Sequence, residues 1–121
     1  MAALDSEFSV VAELSISSNG DKCVLVKLQS ASTEVNVRID LPAVPRLRQV
    51  ASTTWESGCL QIGTSAQSQA YWCADATTAS ILVGLDDQTW DFAFAFPLAL
   101  LAELISEVDL ALASEAESDS T

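Results

Sequence analysis

The amino-acid sequence predicts an α+β domain, with an antiparallel sheet of about seven strands, a short middle helix and a longer C-terminal helix. Three observations support this class: repeated apolar/polar alternation, turn residues between the alternating segments, and two prolines at strand-to-helix junctions. The length of 121 residues suits one domain. We assign residues 1–113 to this domain and the acidic, serine-rich residues 114–121 to a flexible tail.

The first half of the chain predicts three strands and a helix. Alternation over residues 8–17 and again over residues 23–28 predicts a hairpin, because the intervening Asn19-Gly20 tolerates positive φ. Residues 35–41 form the cleanest amphipathic strand, with the apolar side chains on one face. A proline ends that strand, and we expect a short helix over residues 45–51.

The second half predicts shorter strands and the longer helix. Strands are expected at residues 60–62, 70–73 and 81–85, with a small-residue loop over residues 63–68 and a turn at residues 86–88. The clearest alternation follows, and its four aromatic rings are expected on one face of a strand: Trp90, Phe92, Phe94 and Phe96. A proline then ends this strand and begins a helix.

Both halves therefore end in a strand, a proline and a helix. Aligning Pro42 with Pro97 superimposes the alternation of residues 35–42 on that of residues 90–97, although only the proline is identical. The pattern is compatible with an internal pseudo-repeat. We favour two independent junctions, since strand–proline–helix junctions are common.

The net charge of −12, from 17 acidic and 5 basic residues, limits the classes of molecule that the protein is expected to bind. Such a chain repels phosphate backbones and anionic membranes, so we expect neither nucleic-acid nor membrane binding. A basic protein partner is favoured, although the charge could also serve only solubility. The sequence indicates no signal peptide and no spanning segment, so a cytoplasmic location is expected.

The three cysteines are widely spaced and form no Cys-x-x-Cys motif. Their odd number favours reduced, partly buried thiols in a cytoplasmic protein. A bridge between Cys59 and Cys73 across a hairpin is the alternative.

Catalytic and metal-binding patterns are missing from the sequence. There is no histidine, which removes the commonest general base and transition-metal ligand. The densest carboxylate cluster, Asp86, Asp87 and Asp91, could bind a divalent cation or serve an acid-based hydrolase or isomerase. We favour a structural role in a turn, where aspartate caps its own backbone. No enzyme, cofactor or metal ion is therefore predicted.

The same three aspartates lie beside the aromatic strand, as a charged rim lies around an apolar anchor in protein interfaces. We expect most tryptophans in the core. Tyr71 and Trp72, however, are adjacent in a strand and must point to opposite faces, so at least one leaves the main core layer. The predicted partner-binding residues are Asp86, Asp87, Asp91, Tyr71 and Trp72.

Three of the five basic residues, Arg38, Arg46 and Arg48, lie close together in the sequence. They could form a small site for an anion or a carboxylate. The preferred interpretation is that they offset neighbouring acidic residues.

Residues 82–97, with the preceding Tyr71-Trp72, resemble the C-terminal half of small acidic immunity proteins of bacterial toxin systems. Those proteins are similar in size, acidity and an α+β sheet that ends in a helix. The resemblance implies a bacterial, non-catalytic protein-binding module, an immunity or inhibitor protein that masks a basic toxin surface. It implies no individual residue roles.

The alternation with terminal helices in both halves is also similar to the helix-capped sheet repeats of Whirly-type single-stranded nucleic-acid binders. The basic strand faces of that family are missing here. The alternative function is therefore a homodimeric structural or accessory protein of a Whirly-like fold without nucleic-acid binding.

Overall fold

A computed structural model describes residues 8–16 and 19–119 and has the predicted α+β architecture. Seven antiparallel strands form one sheet in which every strand pairs with its neighbours in sequence. The strands are β1 (Ser9–Ile16), β2 (Lys22–Gln29), β3 (Glu34–Asp40), β4 (Leu60–Ser65), β5 (Ser68–Ala74), β6 (Thr78–Gly84) and β7 (Trp90–Pro97). A 3-10 helix (Leu41–Ser52) follows β3, and an α-helix, α1 (Leu98–Asp119), follows β7.

The inner face of the sheet carries the apolar residues that alternation assigns to it. Facing pairs on β2 and β3 are fully or almost fully buried: Val24 with Ile39, Val26 with Val37, and Leu28 with Val35. Trp72 and Ile81 face each other on β5 and β6 and are also buried. This face forms the main core, since all eight side chains belong to one buried cluster.

The middle helix begins earlier than predicted and is a 3-10 helix. It starts at Leu41, directly after β3, whereas the sequence indicated a start at Pro45. Pro45 lies inside this helix and has no N–H, so one backbone hydrogen bond of the helix is missing there. The buried residues Val44, Leu47 and Val50 are spaced by three, which places them on one face of a 3-10 helix.

The loop predicted over residues 63–68 is wrong, because β4 and β5 form a tight hairpin there. The two-residue turn, Ala66-Gln67, has φ values of 51° and 71°, as a type I′ turn requires. Neither residue type is typical of that turn. Gly63 lies inside β4 with φ of 77°, where the register shifts and the backbone passes close to β3.

Helix α1 closes the core by packing mainly against β1, at the far end of the sheet from β7, which precedes it. Its buried residues form one stripe: Leu100, Leu101, Leu104 and Val108. Phe8, just before β1, meets Phe94 of β7 edge-on, with ring centroids 6.2 Å apart. The sheet is therefore curved, and its two end strands approach across the core.

Helix α1 also continues to Asp119, into the segment predicted as a flexible tail from residue 114. The helix therefore extends through most of the predicted tail, and the flexibility of that segment stays a prediction. Residues 120–121 lie outside the described residues, as do residues 17–18 at the end of the first predicted strand. The strand-to-helix junction occurs twice, but three strands precede the first and four precede the second.

Candidate functional site

The aromatic strand β7 is buried at one end and exposed at the other. Phe94 and Phe96 lie in the core, Phe92 is half-buried, and Trp90 is 41% exposed. The prediction that all four rings share one buried face is therefore wrong for Trp90.

A bulge in β7 explains the difference. Val83 of β6 faces Phe92, but the next residue, Gly84, faces Trp90, so one step on β6 matches two steps on β7. Because of this shift, Trp90 is paired as a residue of the opposite face of the sheet from Phe92. The bulge leaves Asp91 without a directly facing residue on β6.

Gly84 permits this close approach because it has no Cβ. A Cβ at Gly84 would lie 2.7 Å from the carbonyl oxygen of Thr89 and 2.9 Å from Cβ of Trp90, and it would also overlap Cα of Trp90. Any other residue at this position must push the bulged strand away.

The loop between β6 and β7 is held by its own aspartate. Oδ1 of Asp86 accepts hydrogen bonds from the backbone N–H groups of Gln88 at 2.8 Å and Thr89 at 2.7 Å. The N–H groups of Leu85 and Asp86 donate to the carbonyl of Thr89. These bonds confirm the predicted turn role of Asp86.

The same aspartate arrangement occurs at the other end of β6. Oδ1 of Asp75 accepts from the N–H groups of Thr77 at 2.9 Å and Thr78 at 2.8 Å. Those two backbone hydrogen bonds favour the carboxylate and lower the pKa of Asp75 below its ordinary value.

The β6–β7 loop folds back over the outer face of β5. The hydroxyl of Tyr71 donates to the carbonyl of Leu85 at 3.1 Å, and Oδ2 of Asp87 accepts from the N–H of Cys59 at 3.2 Å. Leu82 faces Tyr71 on the outer side of the sheet and is only 1% exposed. Two hydrogen bonds, from Tyr71 and from Cys59, therefore hold the loop to residues outside it.

The predicted partner-binding residues differ in how far their side chains are exposed. Trp72 is fully buried, and its Nε1–H donates to the carbonyl of Ile62 at 2.9 Å, so its assignment to a contact surface is wrong. Tyr71 is half-buried on the outer face, which confirms that one of this pair leaves the main core layer. Asp86 and Asp91 are exposed, and Asp87 is half-buried.

Two exposed apolar side chains were missed. Leu85 is 76% exposed in the β6–β7 loop, and Trp55 is 53% exposed in the loop before β4. The two loops meet where Asp87 bonds to Cys59. We call six residues of the two loops and of the start of β7 the acidic corner, of which all but the half-buried Asp87 are exposed: Trp55, Leu85, Asp86, Asp87, Trp90 and Asp91.

The clustered arginines do not form one site. Arg48 pairs with Asp109 of α1 at 2.7 Å, which confirms the charge-offsetting interpretation for this residue. Nη1 of Arg46 donates to the carbonyl of Gln61 at 3.0 Å. Arg38 instead lines an open groove of about 630 Å³ on the outer side of β1 to β4, together with Lys27 and a single carboxylate, Glu13.

Within residues 8–16 and 19–119, no group of three or more Cys, Asp or Glu side chains is arranged to hold a metal ion. In the same residues, no helix has both the length and the hydropathy needed to cross a bilayer. Comparison with protein-family models, curated proteins and solved structures finds no match. Functional inference therefore depends on the chemistry of the acidic corner.

Proposed function

We propose that the protein is a non-catalytic protein-binding module that masks a basic surface of its partner, as an immunity or inhibitor protein does. The observation that carries the proposal is the exposure of Leu85 and Trp90 beside Asp86 and Asp91. Large apolar side chains on a surface favour an interface, and tryptophan is a frequent anchor of binding energy. The carboxylates supply a rim that attracts a basic partner.

The anchoring of the corner also favours binding. The two hydrogen bonds to Asp86, with those of Tyr71 and Asp87, hold the loop before any partner arrives. A held loop loses less conformational entropy on association, so more of the contact energy appears as affinity. The net charge of −12 would speed the encounter with a basic surface.

The resemblance to immunity proteins supports a bacterial, cytoplasmic protein whose partner is a toxin. The internal hydrogen bonds of Asp86 and Asp87 make these two residues poor positions for charge reversal, because lysine cannot accept those bonds and would release the loop. Asp91 is the better position, since it is exposed and its side chain makes no hydrogen bond to any described residue. Glu103, exposed on α1, offers the same charge reversal outside the corner.

The experiment compares the wild type with the Asp91→Lys and Glu103→Lys variants. Proteins retained from the source lysate identify the partner, and association rates are then measured at low and moderate salt. The proposal predicts that the wild type and Glu103→Lys bind one basic protein at similar rates, which fall as salt rises. Asp91→Lys should bind it severalfold more slowly. Equal rates for the two variants, or a partner without basic character, would contradict the proposal.

A homodimeric accessory protein is the second candidate, because β7 is the last strand of the sheet. No described strand pairs with its outer edge, and such an edge can add a strand from a second copy. The bulge and Asp91 oppose pairing over the first part of β7. Light scattering after size-exclusion chromatography tests this candidate, since a dimer that Ala93→Pro dissociates would support it.

A further inference from the structure

Cys59 and Cys73 face each other across the β4–β5 hairpin. The register pairs Gln61 with Tyr71 and Leu60 with Trp72. The next antiparallel step, just before β4, brings Cys59 opposite Cys73. Both thiols are free, and each side chain influences the pKa of the other.

The backbone hydrogen bonds indicate which kind of cross-strand pair this is. The N–H of Ala74 donates to the carbonyl of Thr53 on the β4 side at 2.7 Å, so the N–H of Cys73 points the other way, toward β6. The N–H of Cys59 donates to Asp87. The cysteines therefore occupy a non-hydrogen-bonded position, and the Cα atoms of such pairs are typically about 4.5 Å apart. That separation is within the range that a disulfide spans.

We propose that Cys59 and Cys73 form a disulfide-exchange site that reacts with low-molecular-weight disulfides. The sulfur of Cys59, as thiolate, attacks one sulfur of the reagent and displaces the first thiolate. The sulfur of Cys73 then attacks the mixed disulfide at Cys59 and displaces the second. The two protein thiols lose two protons and two electrons, and the reagent is reduced to two thiols.

The order of attack follows from accessibility and hydrogen bonding. Cys59 is half-buried, whereas Cys73 is fully buried and cannot meet the reagent first. A hydrogen bond from the Cys73 side chain opposes the rise that burial causes in the pKa of Cys59, and so favours the thiolate of Cys59. Cys23 is buried on β2, opposite Asp40 of β3, and lies outside the pair, so it should keep its thiol.

The surroundings make the exchange slow at neutral pH. Burial raises the pKa of the Cys59 thiol, and the negative charge of Asp87 adds to the rise. Burial, the hydrogen bond to Cys59 and the charges of Asp75 and Asp87 raise the pKa of Cys73 to about 12. The thiolate fraction therefore grows with pH, and the reaction rate should grow with it.

The first experiment treats the full chain with glutathione disulfide at about pH 8.5, near the ordinary pKa of a thiol. We expect two of the three thiols to disappear and peptide mass analysis to find Cys59 joined to Cys73. Cys73→Ser should stop at a stable mixed disulfide on Cys59, and Cys59→Ser should not react. A stable glutathione adduct on Cys59 in the wild type, or a bridge that includes Cys23, would overturn the proposal.

The second experiment separates the charge of Asp87 from its hydrogen bond. Asp87→Asn keeps an oxygen that can accept from the N–H of Cys59 but removes the charge beside both thiols. The exchange should become severalfold faster, since removing the negative charge lowers the pKa of both thiols and raises the thiolate fraction. Glu103→Gln, on α1 outside the acidic corner, is the control and should leave the rate unchanged. Equal rates for both variants would contradict the assigned role of Asp87.

Discussion

The two ends of β7 share one sequence pattern but have different environments. Phe94 and Phe96 are buried in the core, whereas Trp90 is exposed at the edge of the acidic corner. Alternation is the same at both ends, but the bulge opposite Gly84 changes the register between them. A period of two therefore predicts the face of a strand only as far as its pairing stays regular.

The largest expected effect tests the buried end. Phe94→Ala should lower the free energy of unfolding by about 3–5 kcal/mol, because it leaves a cavity beside Phe8 and Phe96. Trp90→Ala at the exposed end should cost less than about 1 kcal/mol. Urea unfolding of both variants provides the measurement. If Phe94→Ala and Trp90→Ala lowered the free energy of unfolding by similar amounts, the two ends of β7 would not differ in burial as described.

The next effect tests the bulge that separates the two ends. Gly84→Ala should cost roughly 1–3 kcal/mol, since its Cβ would collide with the backbone of Trp90. Gly20→Ala is an informative control, because Gly20 has open space and a φ of 92°. Its loss should be about 1 kcal/mol, from the backbone alone. If Gly84→Ala unfolded at the same urea concentration as the wild type, the close approach would be refuted.

A smaller effect tests the loop that presents the exposed end. Asp86→Ala removes the acceptor of two backbone hydrogen bonds and should cost about 1–2 kcal/mol. Asp91→Ala, with no such bond, should change stability by less than about 0.5 kcal/mol. Hydrogen exchange should also become faster at Gln88 and Thr89 in the first variant only. Unchanged exchange at these two amides would count against the capping role.

The smallest effect concerns the turn before β6, where Asp75 accepts backbone hydrogen bonds as Asp86 does after β6. The lowered pKa of Asp75 means that its contribution to stability is present above the ordinary aspartate pKa. That contribution is lost as pH falls through the folded-state pKa. Asp75→Asn keeps an acceptor without the charge, so the stability difference from the wild type should shrink on acidification. A difference that stays constant down to about pH 2, below the ordinary aspartate pKa, would contradict this cause.

The sequence was sufficient to predict the inner face of the sheet. Burial of Val26, Val37 and Ile81 follows from a period of two, which needs no tertiary information. The fold class and both strand-to-helix junctions follow from the same pattern and from the prolines. The hairpin at Ala66-Gln67 was missed because neither residue is glycine, asparagine or aspartate, the types on which a type I′ turn is recognised.

The candidate site was predicted only in part, since its geometry depends on distant contacts. Adjacent Tyr71 and Trp72 had to face opposite ways, but only packing decides which one enters the core. The contact between Asp87 and Cys59 joins two loops far apart in sequence. One available indication was Gly84, since an isolated glycine in a strand pattern suggests a bulge.

The central claim is that the exposed end of β7 binds the partner. The most direct test measures the affinity of the captured partner for Trp90→Ala and for Val11→Ala, whose side chain is 51% exposed on β1, outside the acidic corner. The account predicts that Trp90→Ala weakens binding at least tenfold, about 1.4 kcal/mol, because an interface anchor is lost. Val11→Ala should change it less than about threefold. Equal affinities for the two variants would contradict the claim.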